Sequence, residues 1–312
     1  MKKRAFVFPG QASQYVGMGK DLYDNFSIGK EMFERANDSL GFDLRKICFE
    51  GPESKLKMTE ITQPAILTVS TIVGELLMEK GEMPDFVAGH SLGEFSAVVF
   101  ARGLFFEDAV KIVNLRGKFM QEAVPNGEGA MAAVMGAEYE MVDGICREAS
   151  SVGIVCTSNI NCPGQIVISG AAEAVKKAVD MLKDAGIRKA VLLPVSAPFH
   201  CDLMKPAELK LSEVLKKTTF RDLNIPLVNN ADAKILNEGK DVRKSFIKQV
   251  VSPVRWSDSV NLLLENGVDH FVEVGPGKVL TGFIGRIDKS VERHNIGDLQ
   301  SYTNYLKRCK DE

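Results

Sequence analysis

The sequence is short of the residues that most often announce chemistry. Its 312 residues include four histidines and one tryptophan. It has no H-E-x-x-H, and none of its six cysteines forms a C-x-x-C pair, so no metal centre and no other cofactor is expected. Those cysteines (Cys48, Cys146, Cys156, Cys162, Cys201 and Cys309) lie mostly in apolar runs. That placement reads as reduced thiols of a cytoplasmic protein, not as a disulfide framework. An excess of one charge is missing too: 39 Lys plus Arg against 41 Asp plus Glu leave a formal net charge of −2. Such a balance argues against a chain built to coat nucleic acid or an acidic membrane. There is no internal repeat, low-complexity tract or long Pro/Ser linker. No stretch reads as a membrane span, since the most apolar one, Pro64 to Lys80, is interrupted by Thr, Ser, Gly and Glu. The basic start Met1-Lys2-Lys3-Arg4 leads into an apolar run that ends at Pro9-Gly10, too short for a signal sequence.

What is present is an ordinary globular composition, 45% hydrophobic and 26% charged, with enough chain for one large domain with an insertion or for two domains. The run Arg4 to Phe8 predicts a strand, broken by Pro9-Gly10-Gln11. Pro64 to Lys80 predicts a helix, with Pro in its first turn and Gly81 past its end. Asp85 to Ala88 predicts a strand leading into Gly89-His90-Ser91-Leu92-Gly93, with Glu94 to Phe100 as helix. Phe106 to Ala123 is a strong amphipathic helix. After a turn-rich break at Pro125 to Gly129 the pattern changes. Strands at Gly129 to Met135, Gly153 to Asn159, Gln165 to Ser169 and Arg188 to Val195 alternate with helices at Glu138 to Ser150 and Ala172 to Asp184. The order β-α-β-β-α-β is that of a ferredoxin-like unit. It predicts a small subdomain over 126–195 inserted in a larger α/β subdomain over 1–125 and 196–312. Further on, Phe271 to Val274 predicts a buried strand before the turn Gly275-Pro276-Gly277.

Gly89 to Gly93 fits G-x-S-x-G, the nucleophile elbow. There a serine sits on a sharp turn between strand and helix, with helix N-terminal N–H groups aimed at any oxyanion on the attacked carbon. A Gly-rich turn with no catalytic role has the same local pattern. A serine hydroxyl needs a base, usually histidine. His90 leaves the turn in another direction, His270 lies in a strand as a packed residue, and His294 falls in a polar, solvated stretch. His200, after the strand that ends at Val195 and the break Ser196-Ala197-Pro198-Phe199, is where α/β proteins place functional groups. Arg116 lies on the apolar stripe defined by Ala109, Ile112, Val113, Phe119 and Met120. A buried guanidinium needs an anionic partner, which is either an internal Asp or Glu or the carboxylate of a substrate.

These residues resemble a known set. Phe8-Pro9-Gly10-Gln11-Ala12-Ser13-Gln14 resembles the F-P-G-Q-G-x-Q motif of the acyl-CoA:acyl carrier protein acyltransferase family, with Ala12 in place of the commoner Gly. Gly89 to Glu94 matches its G-H-S-x-G-E, and Arg116 falls within Leu115-Arg116-Gly117 where the family has a carboxylate-binding Arg. Asn161 to Gly170 resembles its N-x-P-x-Q-x-V-I-S-G segment, and Pro198-Phe199-His200 the stretch with the catalytic His. Gln249 to Trp256 and Glu273 to Gly277 match its C-terminal motifs. The likeness covers nearly the whole chain and is strongest to free-standing malonyl-transferring members of bacterial fatty-acid synthesis. It implies an α/β-hydrolase-like large subdomain with a ferredoxin-like small one. It also implies Ser91 as nucleophile, His200 as base oriented by the Gln249 main-chain carbonyl, and the N–H groups of Gln11 and Leu92 as oxyanion hole. Arg116 would hold the malonate carboxylate, and Phe199 would crowd an α-methyl branch. The implied partners are malonyl-CoA and an acidic acyl carrier protein, which Arg188, Lys189 or Lys205 would steer, and the implied state is a monomer. Other readings share these motifs: a polyketide-type (methyl)malonyl acyltransferase, a serine thioesterase or lipase, and a carrier-binding scaffold without chemistry.

Overall fold

The run Lys3-Arg4-Ala5-Phe6-Val7-Phe8 has apolar residues at four consecutive positions, the pattern of a strand covered on both faces. In the computed structural model, which describes residues 3–195 and 197–311, Ala5 to Phe8 are wholly buried in the middle of a sheet. Met1, Lys2 and Ser196 lie outside the described residues, so part of the basic start and of the break before His200 goes undescribed. The ten strands among the described residues are β1 (Lys3–Phe8), β2 (Phe86–Gly89), β3 (Gly129–Met135), β4 (Val155–Cys162), β5 (Gln165–Ala171), β6 (Lys189–Leu192), β7 (Leu227–Val228), β8 (Ile235–Leu236), β9 (Val268–Val274) and β10 (Glu292–Ile296). They form a mixed α/β fold with two separate sheets. The first has the order β10-β9-β1-β2-β7-β8 and is parallel throughout except for β8 at its edge.

β1 and β2 pair in register from Ala5 with Phe86 to Phe8 with Gly89. The loops that follow both strands, Pro9 to Ser13 and His90-Ser91, therefore emerge side by side at their carboxyl ends, the usual place for a site in a parallel sheet. The helix after β2 spans Leu92–Phe100 and is buried along its whole length. The amphipathic segment forms a helix at Phe106–Glu122, and its buried face includes Arg116.

The apolar helix begins earlier than its proline suggests, running Thr59–Glu79 with Pro64 inside. Pro64 has no N–H for the carbonyl four residues back. That carbonyl, on Glu60, accepts instead from the Asn114 side-chain amide at 2.7 Å, so the proline is accommodated by the neighbouring helix. By length and composition this one helix, among the described residues, is long and apolar enough to cross a membrane, contrary to the sequence reading. In the fold, 89% of its most apolar window is buried inside the protein.

The second sheet has the order β4-β5-β3-β6 and is antiparallel throughout. Helices Tyr139–Ala149 and Ala172–Asp184 complete two split β-α-β units. Its core is its own, built from residues such as Val134, Val142, Ile168, Val175 and Leu182. A main-chain bridge joins β4 to the larger sheet's side of the molecule. Asn159 forms a parallel bridge with Val254, whose N–H donates to Ser158 O at 2.8 Å and whose carbonyl accepts from Ile160 N at 2.9 Å.

Candidate active site

Both glycines of the elbow are required by contact. A Cβ on Gly89 would lie 2.0 Å from the Gly93 carbonyl carbon, and one on Gly93 would lie 2.0 Å from Phe8 O. Ser91 between them has φ 51° and ψ −104°, a conformation that L-residues rarely hold without surrounding support. Asn230 supplies the support: its Oδ1 accepts the Ser91 N–H at 2.7 Å, and its Nδ2 donates to Gly89 O at 2.7 Å. Ser91 is the N-cap of the Leu92–Phe100 helix, so the Leu92 N–H is one of the donors a helix start leaves without an intrahelical acceptor. Gln11 comes from the adjacent β1 loop. It lines the same cleft, whose volume is about 320 Å³. Ala12, where a glycine is commoner, has φ 83°, and its N–H is held by Gln14 Oε1 at 2.8 Å.

His200 lies in a turn with φ 61° and is 4% exposed. Its Nε2 is 2.8 Å from Ser91 Oγ and its Nδ1 is 2.9 Å from the Gln249 carbonyl oxygen. A carbonyl only accepts, so Nδ1 carries the proton and Nε2 presents a lone pair to the hydroxyl. Gln249 is the last residue of helix Gly239–Gln249, where main-chain carbonyls have no intrahelical donor. Burial first, and the nearby Arg116 charge second, push the His200 pKa down from 6.5 to about 3. The imidazole is therefore neutral, as a base must be before it acts.

Arg116 is 1% exposed. Its Nη1 donates to Gln63 Oε1 at 2.8 Å, and its Nη2 donates to Gln249 Oε1 at 2.9 Å and to Ser91 Oγ at 3.1 Å. Among the described residues it makes no ion pair, and its buried Nε has no partner. Of the two readings the sequence left open, an internal carboxylate is thus not what holds it directly. Glu94 stands one residue further back. Its Oε2 accepts from Gln249 Nε2 at 2.7 Å and from the Asn230 main-chain N–H at 3.0 Å. Burial raises the Glu94 pKa to about 7 and lowers that of Arg116 to about 10, so the guanidinium keeps its charge at neutral pH. Phe199 also lines the cleft, as do Met131, Asn159 and Asn161 from the antiparallel sheet. Asn161 Oδ1 is 2.9 Å from His90 Nε2, so the imidazole beside Ser91 is turned away from it.

A hydroxyl is thus placed between a neutral base and a buried cation, beside a main-chain donor, in a cleft of about 320 Å³. The family model described as "Acyl transferase domain" matches residues 5–300. The chain belongs to the acyl transferase domain family. A relative from Bacillus subtilis (strain 168), named malonyl CoA-acyl carrier protein transacylase, is 44% identical over 313 residues, covering 100% of this chain and 99% of that one. A solved acyl carrier protein S-malonyltransferase from Vibrio cholerae superposes with a TM-score of 0.95 at 42% identity, covering 97% of this chain and 100% of its own. A malonyl-transacylase solved in complex with a type II PKS acyl-carrier protein gives a TM-score of 0.96 at 43% identity, covering 98% and 100%.

Sequence reasoning named seven residues for this acyl transferase site, and all seven meet at the cleft or, for Gln249, directly behind it. It assigned nothing to Gln63, Glu94, Asn161 or Asn230. Glu94 and Asn161 had a visible signal, as members of the Gly89 to Glu94 and Asn161 to Gly170 motif matches, whereas Gln63 and Asn230 had none. Arg188, Lys189 and Lys205 are all exposed, and Lys205 pairs with Glu208. His294 differs from its expected solvated setting. It lies on β10 with its ring 5.2 Å from that of His270 and 5.3 Å from that of Tyr305, and its Nε2 is 2.9 Å from Glu292 Oε1. His270, Glu292 and His294 form the one group of potential metal ligands among the described residues, where the sequence had pointed to none. Arg308 Nη2 sits 2.6 Å from the same Glu292 oxygen, so a cation there would have to displace a guanidinium.

Proposed function

We propose that this chain transfers the malonyl group of malonyl-CoA to the phosphopantetheine thiol of an acyl carrier protein through a malonyl-serine intermediate, supplying fatty-acid elongation. One observation carries the reading: Ser91 Oγ lies 2.8 Å from His200 Nε2 and 3.1 Å from Arg116 Nη2. An acyl group on that oxygen with a free carboxylate at its other end has a buried, charged guanidinium within reach.

His200 Nε2 takes the Ser91 proton as Oγ attacks the thioester carbon. The Gln11 and Leu92 N–H groups receive the oxyanion, each worth about 2.7–4 kcal/mol in related chemistry. Collapse breaks the C–S bond, the imidazolium returns the proton to the CoA sulfur, and the malonyl ester remains. The carrier thiol then gives its proton to His200, attacks the ester, and restores Ser91. One site serves both halves in turn, which makes the kinetics ping-pong. Arg116 holds the malonate carboxylate throughout, and Phe199 disfavours an α-methyl branch by about 1–3 kcal/mol at most. The names of the relatives support this substrate and carrier. A thioesterase or lipase places a carboxylate behind its histidine, whereas here the histidine's partner is a main-chain carbonyl.

The same reading takes the two sheets as an α/β-hydrolase-like subdomain over 1–125 and 196–312 and a ferredoxin-like one over 126–195. The parallel order around β1 and the antiparallel order β4-β5-β3-β6 support those descriptions. It places the enzyme in the cytoplasm as a monomer, with no nucleic acid or membrane among its partners.

The test is intact-protein mass spectrometry after brief mixing with malonyl-CoA. The expected result is one malonyl adduct, absent from Ser91→Ala and discharged by acyl carrier protein. An adduct lost as fast in buffer alone would make the protein a hydrolase, and no adduct would sink the transferase reading.

A further inference from the structure

Behind Ser91 lies a polar layer built from the side chains of Glu94 and Gln249. Glu94 and Gln249 are both fully buried. The Gln249 amide has three neighbours with fixed demands, and one of them is itself fixed by a further group. Arg116 Nη2, at 2.9 Å, only donates. Glu94 Oε2, at 2.7 Å, and Ser91 O, at 3.1 Å, accept from the other end of the amide. That further group is the Asn230 N–H on the same Glu94 oxygen at 3.0 Å, which holds that oxygen in place as an acceptor. Turning the amide over would set its NH₂ against the guanidinium and its oxygen against the carboxylate. Both contacts would then be like against like in a fully buried site.

We infer that Glu94 is a positioning residue for dicarboxylic acyl groups: its buried oxygen fixes the Gln249 side-chain amide, and that amide fixes the Arg116 guanidinium that receives the acyl carboxylate. This inference rests on the malonyl-transfer reading given above. It assigns Gln249 a second role, through its side chain, beside that of its main-chain carbonyl toward His200. It also explains why Arg116 is held by neutral oxygens. Gln63 and Gln249 fix the guanidinium at Nη1 and Nη2 without neutralising it, and the buried Nε remains as a donor. A carboxylate in direct contact would fix it as well but would compete with the substrate for the same N–H groups.

The required property of residue 94 is an acceptor oxygen, which glutamine also provides. The experiment follows the acylation of Ser91 by quenched-flow mass spectrometry at pH 8 over a range of malonyl-CoA and acetyl-CoA concentrations. It compares the wild type, Glu94→Ala and Glu94→Gln. Glu94→Ala should raise the half-saturating malonyl-CoA concentration at least tenfold, while acetylation slows by less than threefold. Glu94→Gln should return the malonyl value to within threefold of wild type. Glu94→Gln as poor as Glu94→Ala would overturn the inference, because charge and not orientation would then matter. An equal loss of malonyl and acetyl transfer in Glu94→Ala would overturn it as well. If Glu94→Ala does not fold, Gln249→Met carries the test, since it keeps the main-chain carbonyl and removes the amide. It should raise the malonyl half-saturation tenfold, and Glu94→Gln added to it should change that value by less than twofold. An unchanged malonyl half-saturation in Gln249→Met would overturn the inference. A wild-type protein that forms no malonyl adduct would refute the transferase reading itself, whereas an active wild type with the opposite variant pattern refutes only the role of Glu94.

Discussion

Replacing Arg116 by alanine should change which acyl group the enzyme accepts far more than how fast it acylates. The guanidinium is buried, charged and held by two glutamine oxygens. A substrate carboxylate meeting two of its N–H groups makes two charge-assisted hydrogen bonds, each worth about 1.5–3 kcal/mol. Their loss amounts to about 3–6 kcal/mol, or roughly 10²- to 10⁴-fold in kcat/KM for malonyl-CoA. Two other consequences of the substitution fall on every acyl group alike. The oxygens of Gln63 and Gln249 lose their donor, which costs about 1–3 kcal/mol each in folding stability if water does not replace it. Ser91 Oγ loses the Nη2 contact at 3.1 Å, which slows its attack on any thioester. The decisive quantity is therefore the ratio of kcat/KM for malonyl-CoA to that for acetyl-CoA, measured in wild type and variant with acyl carrier protein saturating. The ratio should fall at least a hundredfold. If both substrates lose the same factor, Arg116 supports the serine and does not read the carboxylate.

Other expectations follow from the same geometry. His200→Ala should lower the rate of Ser91 acylation by roughly 10²- to 10⁴-fold, read as the burst of released CoA. Because the His200 pKa is held at about 3, the base stays neutral down through pH 5. The acetylation rate should then be flat from pH 8 to pH 5, and an acid limb centred at 6.5 would show that the histidine is not held down. Gly93→Ala should cost at least about 3 kcal/mol in urea unfolding, since its Cβ would lie 2.0 Å from Phe8 O. The Glu94 pKa is raised from 4.5 to about 7, so the folded state holds that proton more tightly than the unfolded chain does. Its contribution to stability is complete below pH 4.5 and lost as the pH rises through 7. Wild type should thus lose about 3 kcal/mol relative to Glu94→Gln between pH 4 and pH 8, visible in denaturation midpoints.

Where local chemistry decides structure, the sequence was legible. Strand Gly129–Met135 and helix Ala172–Asp184 have the bounds that their periodicity and turn residues predict. The elbow was legible because its G-x-S-x-G spacing is local, although only Gly89 is demanded by a contact close in sequence and Gly93 is demanded by Phe8 O of the neighbouring strand. Pro64 misled, because the donor that completes its carbonyl, Asn114, comes from another helix. The strand expected at Gly153 to Asn159 runs Val155–Cys162 instead, extended where β5 and the Val254 bridge supply partners. His200 was weak by position alone and gained its role from the family motif. Asn230 was silent, and Glu94 showed only as the last residue of its motif without a role, because what joins them is one carboxylate oxygen across 136 positions of chain. The residues that hold Arg116 were hidden for a related reason: spacing along a helix shows that a charge is buried, but not that amides will hold it.

The bridge between β4 and Val254 joins two functions on one short length of chain. Five residues before Val254 is the carbonyl that accepts from His200 Nδ1, and the segment between them leaves the end of a helix. The antiparallel sheet thus forms one wall of the cleft and is also tied mechanically to the tautomer of the base. Any tilt of that sheet would tug the same strip of backbone, so the position of the cleft wall and the orientation of the base share a tether.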